Sequence, residues 1–135
     1  MQSKPVLTLE DVKKIAAAAE QEALSNGWNV VIAICDDGGH PLFLQRLDGA
    51  APISAHIAPE KARTAALGRR ESKIYEDMIN NGRVSFLRAP ELGGMLEGGV
   101  PILVDGHTVG AVGVSGVKSA EDAQIAKAGV AALGL

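Results

Sequence analysis

Two hairpin signals and a helical period at each end of the chain predict an α+β domain with about five antiparallel strands. The first signal is Asp36-Asp37-Gly38-Gly39, set between two apolar runs, and the second is Asp105-Gly106, set between two more. Strands joined by turns this short are antiparallel, because a parallel pair needs a crossover of roughly a dozen residues. Helical periods before, between and after the hairpins supply the elements that cover the sheet.

The elements follow in order. Between Thr8 and Asn26, apolar Leu9, Val12, Ile15, Ala16, Ala19 and Ala23 recur at helical spacing. Thr8 is the natural N-cap, Asp11 lies near the positive end, and Gly27 supplies the left-handed stop. Trp28 to Cys35 is an apolar run of the kind buried on both faces, and Pro41 to Leu47 returns beside it. Ala51 to Arg70 is alanine-rich and helical but contains Pro59. Either the regular helix starts near Ala58, or one longer helix is kinked there. Ser72 begins a short helix that Asn80-Asn81-Gly82 ends, and residues 83–92 read as a loop broken by Pro90. Gly94–Glu97 is a candidate short strand ahead of the hairpin of Val100–Val104 and Thr108–Val114. Ser119, with Asp122 three residues on, starts a last helix through Leu133. Residues 1–135 read as a single domain.

Composition narrows the function. A net charge of −3, from 13 Lys+Arg against 16 Asp+Glu, offers no basic stripe for nucleic acid. Trp28, Tyr75, Phe43 and Phe86 are the only aromatics, too few for base-stacking platforms. A flat ligand would rest on aliphatic walls and backbone. Arg69 and Arg70 read as a solvated helix end. Cys35, the single cysteine, reads as a buried small hydrophobe rather than a nucleophile. No secretory pattern opens the sequence, and no apolar stretch reaches the roughly 18 residues a membrane span needs. A cytoplasmic protein with no membrane contact is the expectation.

Four segments carry a family resemblance. They are Val30 to His40 with Arg46 to Ala50; Lys61-Ala62-Arg63-Thr64-Ala65; Gly98 to Ile102 with Asp105-Gly106; and Val109 to Gly116. In this order they resemble the GlcG/HbpS-like family, the haem-degrading or DUF336 domain, over nearly the whole chain. The resemblance implies a profilin-like three-layer α/β/α sandwich and a homo-oligomer. It further implies haem binding in some members and unassigned roles in small-molecule catabolism in others.

Haem needs an axial ligand, a dry slot and partners for its propionates. His56, in the alanine-rich helix four residues before Glu60, is the axial candidate, while His40 and His107 read as turn residues. The resemblance makes Thr64 a haem-contact candidate, although a helical threonine also bonds back to its own backbone. Lys61 shares a helix face with Thr64 at i, i+3, with Arg63 pointing elsewhere, and is a candidate partner for an anionic group. The glycine doublets around Met95-Leu96-Glu97 and the series Gly110, Gly113, Gly116 match no nucleotide fingerprint and suit close packing. One cysteine and widely spaced histidines give no basis for a zinc site.

The leading expectation is a haem- or tetrapyrrole-binding accessory or sensor protein that takes a small-molecule ligand. One alternative is a catabolic enzyme acting on a small organic acid, with Lys61 and His56 or Glu97 as acid–base groups. Another is a purely structural oligomer.

Overall fold

The protein is described by a computed structural model covering residues 1–135. Helix α1, Leu9–Ser25, begins at Thr8, whose Oγ1 accepts from the Asp11 amide at 3.2 Å. Asp11 Oδ2 in turn accepts from the Thr8 amide at 2.9 Å, closing a capping box. These bonds hold the Asp11 carboxyl below its ordinary value. Strands β1, Val31–Asp36, and β2, Pro41–Arg46, form the first hairpin, with Gly39 at φ +79 in the turn. Asp36 Oδ1 accepts from the amides of Gly38 and His40, both at 2.9 Å, so the turn is tied by its own carboxylate.

Helix α2, Ser54–Gly68, is continuous across Pro59 and starts well before Ala58. One longer helix therefore runs through Pro59, which removes one amide donor; of the longer, kinked alternative, it is the continuity that the structure shows. Helix α3, Ser72–Asn80, follows as expected. Residues 84–88 then wind into a 3-10 helix, Val84–Arg88, inside what reads as a loop.

Strands β3, Gly99–Val104, and β4, His107–Ser115, form the second hairpin. Its turn residues Asp105 and Gly106 both take positive φ, +51 and +80. Helix α4, Ser119–Ala131, closes the chain, with Lys118 rather than Ser119 at the N-cap.

The sheet has four strands, not five, in the antiparallel order β2-β1-β4-β3. Gly94–Glu97 is the segment that departs from expectation. The Gly94 amide donates to Thr64 Oγ1 at 3.2 Å, and the Glu97 amide donates to Glu76 Oε2 at 3.2 Å. Side chains of α2 and α3 thus take the amides that a fifth strand would have placed in a ladder.

Helices cover both sheet faces. Ile32, Ile34, Ile102, Val112 and Val114 are buried with Val12, Ile15 and Ile125 in the core toward α1 and α4. Each such side chain contributes about 1.5–3 kcal/mol by burial. The opposite face is thin, with Ala33, Cys35 and Ala111 against Ala58, Ala62 and Ala65 of α2. A Cβ on Gly113 would lie 2.2 Å from the Ala58 carbonyl oxygen and 2.4 Å from the Ala62 nitrogen. Backbone therefore rests on backbone here, as the glycine series suggested. No helix is long and apolar enough to cross a membrane.

Candidate functional site

The residues singled out in Lys61-Ala62-Arg63-Thr64 divide between two faces of α2. Lys61 and Thr64 turn inward, 3 % and 0 % exposed. The Lys61 ammonium donates to the Val114 carbonyl at 2.9 Å and to Asp122 Oδ2 at 3.0 Å, joining α2 to β4 and α4. Asp122 Oδ1 also accepts from the Val117 amide at 3.2 Å. Burial pushes the Asp122 carboxyl above its ordinary value, and the attraction of Lys61 offsets only part of that cost. Thr64 uses its hydroxyl as an acceptor for Gly94, so it fixes a loop instead of capping its own helix.

Glycines make this inner seam possible. A Cβ on Gly99 would stand 2.2 Å from the Lys61 carbonyl oxygen, and one on Gly98 would stand 2.8 Å from the Lys61 Nζ. Ser72, which in the sequence marks only a helix start, donates to the Leu96 carbonyl at 2.5 Å and accepts from the Gly99 amide at 2.8 Å. Asp122 was visible only as a helix-start residue. Its place within an alanine-rich helix was the available signal of burial.

His56, Glu60 and Arg63 follow one another at i, i+4 and i+7 on the outer face of α2. His56 is exposed, while Glu60 and Arg63 are half-buried. Beside this face lies a cleft of about 200 Å³. Strand β1 supplies Ala33 and Cys35 to it, β2 supplies Phe43 and Leu44, and α2 supplies Pro59 and Ala62. Its charged members are Glu60 and Arg63. Burial pushes the Cys35 thiol up to about 12, so it lies in the cleft as a neutral thiol and supplies no thiolate.

The same two charged residues border a second, shallower depression of about 450 Å³ against residues 89–93. Together the two depressions form a trough along α2. Within it, Arg63 Nε donates to the Glu91 carbonyl at 3.2 Å, and Nη2 pairs with the Glu91 carboxylate. Glu91 adopts φ +67, a left-handed conformation that costs a non-glycine residue about 1–2 kcal/mol. An ion pair this open to water returns about 0–1 kcal/mol.

The remaining candidates lie apart. Glu97 is half-buried and among the charges that raise the Lys73 pKa, so its carboxylate belongs with α3. His40 sits in the first hairpin turn, its ring nitrogen 3.1 Å from Asp36. His107 opens β4 at the other hairpin. Lys61 and His56 point to opposite faces of α2, and the Lys61 ammonium donates to Val114 and Asp122, not to Glu97.

A family model described as haem degrading protein HbpS-like matches residues 7–131. Protein GlcG of Escherichia coli strain K12 is 57 % identical over 115 residues, 85 % of this chain and 85 % of that protein. The structure of a double mutant of Streptomyces reticuli HbpS superposes with a TM-score of 0.88 at 32 % identity, covering 100 % of this chain and 92 % of that one. A PduOC:haem complex superposes with a TM-score of 0.85 at 27 % identity, covering 95 % of each chain.

Proposed function

The chain belongs to the HbpS-like family, and from that premise we propose that it binds haem or a related tetrapyrrole along the outer face of α2, as an accessory or sensor protein. The observation that carries this reading is its likeness, over 95 % of both chains, to a protein crystallised as a haem complex. The trough fits the group in part. Its walls are aliphatic with one phenylalanine, and Arg63 offers a cation for a propionate, while Glu60 beside it offers an unfavourable carboxylate. At about 200 Å³ the cleft is smaller than the roughly 300–1,000 Å³ of enclosing ligand pockets. One chain therefore grips an edge of the ring, and the expected second copy of the chain covers the rest.

When bound, haem would supply a redox-active iron, and the protein would supply its orientation and a side chain to hold the iron. His56 is the candidate ligand in this reading: it lines neither depression, but it is exposed one turn before Glu60 on the same helix face. Lys61 and Thr64 act from behind, holding α2 against the Gly94–Gly99 segment and α4. The acid–base alternative has no assembled set of groups, since Lys61 is committed to Val114 and Asp122.

Haemin titration of the purified protein is expected to give a saturable Soret shift at micromolar concentration. In His56→Ala the shift is expected to weaken and change position. An unchanged haemin spectrum with the native protein would overturn the reading.

A further inference from the structure

Arg63 projects from α2 into both halves of the trough, so a molecule lying there meets its guanidinium. Nε and Nη2 form the edge of a guanidinium that grips a carboxylate side-on. In this structure that edge takes two oxygens from one residue, the carbonyl and the carboxylate of Glu91. Glu91 reaches it from a left-handed backbone conformation, with its side chain 69 % exposed. The contact is strained on the loop side and wet, so a ligand carboxylate with both oxygens in one plane has the better geometry. A local backbone strain of this kind at a cleft also points to a functional position.

We propose that Arg63 is the carboxylate-recognising residue of the trough, and that Glu91 is a tethered stand-in released when a ligand's carboxylate takes the guanidinium edge. The ligand class is a molecule with a free carboxylate beside an apolar body, matching Phe43, Leu44 and Pro59 around the charge. Glu60 borders the same trough, its carboxylate close against Gly93 instead of on Arg63. Glu60 thus leaves the guanidinium edge free of its own carboxylate, so a ligand carboxylate there competes with Glu91 alone. A tetrapyrrole propionate and a small free organic acid both carry this group. The first source rests on the haem reading above; the second does not.

The test uses the full chain and three probes: haemin, haemin dimethyl ester, and acetate with benzoate. Arg63→Gln is expected to weaken haemin about ten- to a hundredfold, the range of a lost charge-assisted hydrogen bond. Arg63→Lys, which keeps the charge without the fork, should recover only part of this. Glu91→Gln should tighten haemin by up to about fivefold, because a competitor has been removed. The dimethyl ester, which has no free carboxylate, should respond to none of these changes. Equal haemin affinity in all variants, or equal sensitivity of the ester, overturns the assignment. If the native chain ignores haemin, the haem reading falls and the NMR signal of the Arg63 Nε–H decides the rest. Movement of that signal with acetate or benzoate sustains the Arg63 assignment, and a fixed signal overturns it.

Discussion

Lys61 places its ammonium 3.0 Å from Asp122, with the two side chains 4 % and 3 % exposed. Removing one partner leaves a buried charge uncompensated, so Lys61→Met is expected to cost about 3–5 kcal/mol in urea unfolding. The double variant Lys61→Met with Asp122→Leu should recover most or all of that loss, because neither desolvation cost remains. The pH dependence carries the same signature. A carboxyl raised in the folded state binds its proton more tightly there than in the unfolded chain. Its contribution is therefore full below the ordinary value of 3.8 and is lost as pH rises through the raised one. The double variant should lack that acid-side gain, and unfolding measured across acid to neutral pH checks it. That Lys61 and Thr64 share a face was legible from their spacing. Their partners were not, because Val114 and Asp122 are more than fifty residues away in sequence, and no local period reports such a contact.

Helix α2 shows how one element depends on residues outside it. Its alanines lie low on the sheet because Gly113 has no side chain to lift them. Gly113→Ala would put a methyl 2.2 Å from a backbone oxygen that cannot swing aside. We expect a loss of about 1–3 kcal/mol, the range for overpacked cores, read as a lowered thermal midpoint with the far-ultraviolet spectrum unchanged before melting. The helices, both hairpins and the packing role of the glycines were readable in the sequence, since capping, turn chemistry and period are local. Gly94–Glu97 was misread as a strand because glycines beside apolar residues suit either a ladder or a close approach to a helix. Only the position of Thr64 and Glu76 decides between them. The trough was illegible for the same reason: it joins Phe43 of one hairpin to Arg63 and Glu91, which are far apart along the chain.

At the scale of the molecule, the sheet joins two hairpins through a single central seam, β1 against β4. In that seam Val31 opposes Ser115 and Asp36 opposes Gly110. The first hairpin has only β1 and β2 until residues 107–115 arrive, and a two-stranded unit is marginal in water. A chain cut after Val104 is therefore expected to lack cooperative unfolding, whereas a native-like melt of that fragment would refute this. The seam also sets a timetable. During synthesis the first hairpin leaves the ribosome with its inner β1 edge bare, and that edge stays open until residues 107–115 follow. Closing so long a loop makes folding slow relative to local helix formation. The newborn chain thus passes through an interval in which Val31 to Cys35 is an open template for the wrong strand.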